Sequence, residues 1–193
     1  MKNPKVVAIT GSQRDGSHTA AAVDIALAQA RRSGAETDHV DLSGLDLPLF
    51  DPDAPDAGDA ATLRQRVRAA DAVLLATPMY HGSVASPLKT ALDYCGFDEF
   101  EGTTVGLLAV AGGAFPTAAL DHLRIIARAL DAWVLPHQAA IPDSHATFAD
   151  GELTDPDLRE RIERLGENLV EYAGVAAYPE GTPAPSAEAG LGD

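Results

Sequence analysis

The chain is short of positive charge. Its 193 residues include 14 Lys and Arg against 29 Asp and Glu, for a formal net charge of −15. Lysine occurs only at Lys2, Lys5 and Lys89. Nucleic acid and anionic lipid both require basic surface, so neither a nucleic acid nor a membrane is expected as a partner. The acidic residues are scattered rather than blocked, and the composition is of the halophilic kind met in salt-adapted proteins. Cysteine is nearly absent as well. The lone Cys95 excludes an internal disulfide framework and any cysteine-rich metal site, and is expected to be a small buried structural residue. His39, His122, His137 and His145 show no metal spacing, and no metal is expected. Long apolar runs are missing too; none approaches the length of a membrane span. The apolar part of MKNPKVVAIT is too short for a signal peptide and no small-residue cleavage site follows it, so a cytoplasmic location is expected.

What is present is alternation. With 46% hydrophobic residues the chain can bury the core of one domain. KVVAIT (5–10) reads as a buried strand closed by Gly11. Residues 19–33 carry Val23, Ala26, Leu27 and Ala30 on one helical face, with Gly34 as the C-terminal stop. TDHVDLS (37–43) reads as a more exposed strand, followed by a loop rich in Pro, Asp and Gly. A helix over 60–70 leads into the apolar strand AVLLAT (72–77). SPLKTALDYCG (86–96) predicts a helix capped by Ser86 with Pro87 at its first position. Strand 103–112, helix 117–131, a weaker strand over 132–141 and helix 155–173 complete the set. Residues 175–193 are rich in Pro, Gly and Ala without periodicity and are expected to form a mobile tail after a domain spanning 1–174. Five strands alternating with five helices predict a doubly wound α/β fold. The length favours a flavodoxin-like five-stranded parallel sheet of order 2-1-3-4-5 in three α/β/α layers.

In such a sheet ligands bind beyond the carboxyl ends of the strands, where the strand order reverses, here between strands one and three. The two stretches that fall there are GSQRDGSHT (11–19) and TPMYHGSVAS (77–86). The first opens a helix, where free backbone N–H groups and the helix dipole favour an anion. Ser12, Ser17 and Thr19 add hydroxyl donors, and Arg14 adds a guanidinium. Gly11 and Gly16 are spaced as in a nucleoside-triphosphate loop, but no Lys follows Gly16, and the closer G-x-G-x-x-G turn of dinucleotide sites is absent. This donor set suits a terminal phosphomonoester, as on a mononucleotide cofactor. The alternative is a Gly/Ser-rich strand-to-helix turn that binds nothing. The second loop, Pro78 to Ser83, offers backbone donors and a glycine that permits close approach of a flat ring.

GSQRDGSHT resembles the G-S-x-R-x-x-S-x-(N/T) phosphate motif of the NADPH-dependent FMN reductase family. PMYHGSVASPLKTALDY resembles that family's P-x-Y-(N/H)-G-S-x-x-x-x-L-K-x-A-L-D stretch. The resemblance covers roughly residues 5–173. It implies a flavodoxin-like fold, bound FMN, NADPH or NADH as hydride donor, and a homodimer or homotetramer. It places Ser12, Arg14, Ser17 and Thr19 around the phosphate, and Pro78, Met79, Tyr80, His81, Gly82 and Ser83 beside the ring; His18, between Ser17 and Thr19, is expected among the cofactor-binding residues. The family's third flavin loop usually carries Ser or Thr with its glycines. Here it reads Ala111-Gly112-Gly113-Ala114-Phe115: Gly112 and Gly113 are kept, the hydroxyl is lost, and backbone contacts alone are expected there.

The implied activity passes hydride from the nicotinamide to FMN and then two electrons to a small-molecule acceptor: a quinone, an azo compound, a metal oxyanion or a flavin. The cofactor carries that chemistry, so no catalytic side chain is expected. His81 is the nearest candidate proton donor, with a structural hydrogen bond as its alternative. Ser83 lacks the setting of a hydrolase nucleophile, and Lys89 and Asp93, one turn apart, are expected to pair on the surface. Two other functions stay open: an FMN electron carrier without nicotinamide access, and a non-catalytic binding module on the same fold. A two-fold dimer is expected with residues 80–97 in its interface. The apolar LDLPLF (45–50), Tyr94 and Phe97 supply material for it, and core filling by Tyr94 and Phe97 is the alternative.

Overall fold

KVVAIT, AVLLATPMY and TVGLLAV become the central strands of a parallel sheet: β1 (Lys5–Thr10), β3 (Ala72–Tyr80) and β5 (Thr104–Val110). The computed structural model describes residues 3–174, so the tail expected at 175–193 lies outside the described residues. β2 (Glu36–Asp41) pairs with β1 at one edge; β6 (Trp133–Val134) and β7 (Ala139–Ile141) both pair with β5 at the other. Counting β6 and β7 as one interrupted strand, the order is the expected 2-1-3-4-5. The weak strand of 132–141 is thus two pieces. Pro136 has no N–H for the ladder. The carbonyls of Leu135 and Gln138, beside the break, instead accept from Arg124 (3.2 Å) and Arg161 (2.9 Å).

Side chains alternate across the strands, and each set meets its own helices. Val6, Ala8, Leu74, Ala76 and Leu108 pack under α1 (His18–Arg32) and α7 (Pro156–Glu171). Val7, Ile9, Val73, Leu75, Val105 and Leu107 pack under α2 (Ala60–Arg68), α3 (Ser86–Asp93) and α5 (Thr117–Ala129). The result is the three-layer α/β/α arrangement. Asp38 on edge strand β2 accepts from Arg66 of α2 at 3.0 and 2.6 Å, and this guanidinium holds the carboxyl below its ordinary range. Cys95 is buried and free; burial pushes its thiol up to about 12, which makes it inert.

Three local expectations need correction. Strand β3 runs on to Tyr80 and folds back into β4 (Ser83–Val84), with Met79 opposite Val84 and Tyr80 opposite Ser83. The two turn residues, His81 (φ 51°) and Gly82 (φ 78°), both have the positive φ of a tight hairpin turn. Second, α3 is capped by Ala85, not Ser86, because the Ala85 N–H is held by Thr77 Oγ1 at 2.9 Å beneath the hairpin; Pro87 follows in the first turn. Third, α3 stops at Asp93, and Tyr94 turns inward, 4% exposed. Tyr94 fills the core under the 45–50 loop rather than an interface. Its hydroxyl donates to the Pro48 carbonyl (3.1 Å) and its ring meets Phe50 edge-on. The chain continues through the short α4 (Phe97–Phe100), α6 (Ser144–Thr147) and the small hairpin β8 (Phe148–Ala149) and β9 (Glu152–Leu153), which no sequence signal announced. Among the described residues no helix is long and apolar enough to cross a membrane, and no His, Cys, Asp and Glu cluster is placed to hold a metal ion.

Candidate functional site

The carboxyl ends of β1, β3, β5 and β7 open onto one cavity of about 320 Å³. Its first wall is the loop after β1. Gly11 leaves β1 pressed against α3, where an added Cβ would stand 2.7 Å from Leu88 Cβ, so only glycine fits. Gly16, at φ +64°, then turns the chain into α1. Ser17 caps that helix, its Oγ accepting from the Ala20 N–H at 3.2 Å. The N–H groups of His18 and Thr19, ahead of that cap bond, have no acceptor among the described residues. Ser12 Oγ accepts from the Arg14 N–H at 3.3 Å. Both serine hydroxyls therefore have a proton left to donate. Arg14, exposed and free of any carboxylate partner among the described residues, supplies the only permanent positive charge lining the cavity.

The second wall is the end of β3: Pro78, Met79 and Tyr80. The third is the end of β5, Val110 with Gly112 beyond it. The fourth was missed from the sequence: Ser144 and His145 of α6. The third and fourth are bonded together. The Ser144 N–H donates to Ala111 O at 2.9 Å and the Asp143 N–H to Gly113 O at 3.0 Å. Ser144 thereby enters the cavity wall bonded to the 111–113 loop, the loop whose usual hydroxyl is lost. A signal for it existed, since residues 142–145 follow the carboxyl end of the fifth predicted strand, where ligand loops belong.

Of the residues singled out from the sequence, Ser12, Arg14, Ser17, His18, Thr19, Pro78, Met79, Tyr80 and Gly112 line this cavity. His81, Gly82, Ser83 and Gly113 do not. His81 is exposed at the hairpin turn and makes no hydrogen bond among the described residues, so the structural hydrogen bond given as its alternative role is not formed there. Ser83 Oγ lies 2.9 Å from His122 Nδ1, tying the hairpin to α5. Lys89 and Asp93 form the expected surface pair at 2.5 Å. Gly113 gives its carbonyl to Asp143 as above.

Two imidazoles stand in the cavity wall. His18 stacks on Phe148 of β8, ring centroids 4.3 Å apart and planes within 3°; His145 meets it edge-on at 6.4 Å. Desolvation holds the His18 ring below its ordinary value, and the charges of Arg14 and His145 act in the same direction. Among the described residues no carboxylate lines the cavity. Chemically, one end offers hydroxyls, free amides and a guanidinium to an anion; the other offers strand ends, a thioether and a tyrosine to a flat, largely apolar group.

Residues 4–146 match the family model described as NADPH-dependent FMN reductase. The chain is 32% identical over 185 residues to the FMN-dependent NADPH-azoreductase of Staphylococcus haemolyticus, covering 90% of this chain and 97% of that one. Among solved structures it resembles the apo form of an NADH:FMN oxidoreductase, with a TM-score of 0.70 and 25% identity over 97% of this chain and all of that one. An archaeal flavodoxin shares the fold, with a TM-score of 0.61 at 12% identity over 86% of this chain and 96% of that one. The chain belongs to the NADPH-dependent FMN reductase family of oxidoreductases.

Proposed function

We propose that the cavity binds FMN, and that the protein uses NADPH or NADH to reduce a small-molecule acceptor. The observation that carries this reading is the joint placement of Arg14, Ser12, Ser17 and the free amides of His18 and Thr19 at the β1 end of the cavity. That donor set fits a phosphate dianion. The glycine at 112, close to the His145 ring, leaves room for a flat group against the backbone. Bound there, FMN supplies hydride acceptance and two-electron transfer. Arg14 and the hydroxyls anchor the phosphate and thereby fix the position of the far end. Pro78, Met79, Tyr80 and Val110 exclude water along the ring. Ser144, a cavity-wall residue bonded through its backbone to Ala111, brings a serine to the loop that lacks its usual hydroxyl. His81, Gly82, Ser83 and Gly113 act from behind this wall, as supports of its backbone.

Within that reading the acceptor is a quinone, azo compound, metal oxyanion or flavin. The protein works in the cytoplasm, where NAD(P)H is supplied, as a homodimer or dimer of dimers. The absorbance spectrum of the purified protein tests the core of this. A flavin band that bleaches on addition of NADPH or NADH, and returns with an added quinone or azo dye, is expected. A band that no nicotinamide bleaches would indicate an electron carrier, and a colourless protein that takes up no FMN would remove the reading altogether.

A further inference from the structure

A phosphate dianion brings two negative charges to a cavity lined by one permanent cation, Arg14. Lysine, which follows the second glycine of a triphosphate loop, is absent after Gly16. The remaining groups able to carry positive charge there are the two imidazoles. His18 sits in the first turn of α1, next to the free amides that face the anion, and its ring is held flat against Phe148. Neither imidazole has a hydrogen-bond partner among the described residues, so their ring nitrogens are available to a ligand. The charged and titratable groups facing His18 are Arg14 from its own loop, His145 from α6 and Tyr80 from β3; the side packed on β8 is the apolar Phe148. Among the described residues no carboxylate is there to hold a proton on His18 before the anion arrives.

Resting on the FMN reading, we propose that phosphate binding here is proton-linked: as a phosphomonoester dianion enters, the site takes up one proton, and His18 carries it. Protonated His18 then supplies the second positive charge that Arg14 alone does not, and its N–H adds a charge-assisted donor. Only one proton is taken up, because a second on His145, with centroids 6.4 Å apart and Arg14 nearby, would place three cations around one dianion. The sign follows from linkage. A group that is neutral in the empty site and protonated in the filled one favours binding at low pH, and that contribution is lost as pH rises through its ligand-bound pKa.

The test is calorimetric titration of the apoprotein with FMN in two buffers of different ionisation enthalpy at pH 7.0, where the ligand's phosphate is mostly dianionic. The expected result is uptake of about half a proton or more per FMN bound, with Kd rising by up to about tenfold per pH unit across the alkaline limb. His18→Asn should abolish the uptake and flatten the pH dependence, while His145→Asn should keep both. The His18 ring resonances of the wild-type protein, followed by NMR with and without FMN, give a second readout that needs no variant. FMN binding without proton uptake, uptake that survives His18→Asn, or uptake lost only in His145→Asn would each overturn the assignment and leave the FMN reading intact. Failure to bind FMN at all would overturn both.

Discussion

Arg14 stands alone in its role, since among the described residues no lysine or second arginine lines the cavity. It is exposed, so water screens part of its charge. Arg14→Ala should weaken FMN binding by about 1.5–3 kcal/mol, the range for hydrogen bonds to charged groups, with the lower end expected at this exposure. Titration of the apoprotein reads this directly, and unchanged affinity would remove Arg14 from the site. The residues around it were legible in the sequence for a physical reason. A loop that must present free amides, hydroxyls and a guanidinium within one turn has to write them contiguously, as Ser12, Arg14, Ser17 and Thr19 do. Ser144 and His145 carry no motif of their own and are signalled only by position, after the end of a weak strand that is broken at Pro136. His18 and His145 meet only in three dimensions, across 127 positions of chain. Conversely, His81 and Ser83 carry chemistry-bearing side chains in a motif but lie outside the cavity lining, His81 exposed at the turn and Ser83 bonded to His122.

Among the helices, α1 and α7 make the most extensive contact with each other, and Gly166 permits it. A Cβ there would stand 2.3 Å from the Ala26 carbonyl oxygen and 3.2 Å from Gln29 Cβ. In an isolated helix Gly→Ala stabilises by about 1 kcal/mol. Here the added methyl meets backbone rather than a flexible side chain, so the helices must separate. Gly166→Ala should therefore destabilise by about 1–3 kcal/mol in denaturant unfolding, as overpacking does; a stabilised variant would show that the helices yield freely. The sequence spelled out these helices and the central strands well, because each buries a long periodic or unbroken apolar set. It was silent where an element is short and its partner distant. The β3–β4 hairpin depends on two left-handed turn residues, one of them a histidine, and the β8–β9 hairpin on two pairs of residues. Neither is long enough to show a period.

Over the whole molecule, a charge of −15 on one chain repels itself, and counter-ions relieve that repulsion. Stability should rise as salt increases from low to molar concentration, measured as the thermal midpoint; a flat or falling midpoint would count against the salt-adapted reading. The same salt bears on assembly, because it screens the repulsion between two acidic copies. Apolar surface remains exposed on the layer of helices opposite α1 and α7. Phe97 of α4 is 60% and Ile125 of α5 is 61% exposed, and a groove of about 500 Å³ runs between α3, α5 and the β3–β4 hairpin. Exposed large apolar groups beside polar ones, here Lys89, Thr90 and His122 around Ile125 and Val84, mark contact surfaces. With Tyr94 committed to the core, Phe97, Ile125 and Leu49 of the 45–50 loop are the exposed anchors that a two-fold interface including residues 80–97 would use. Tyr80 is 56% exposed and belongs to the cavity wall, so an interface reaching the hairpin would cover the open side of the site. Phe97→Asp places a charge on such an interface without disturbing a buried side chain. In molar salt, light scattering should show wild type as a dimer or tetramer and Phe97→Asp shifted toward monomer, with a lower NADPH-dependent rate and unchanged thermal midpoint of the isolated subunit. A wild-type protein that is a clean monomer at micromolar concentration with full reductase activity would show that each subunit shields its own site.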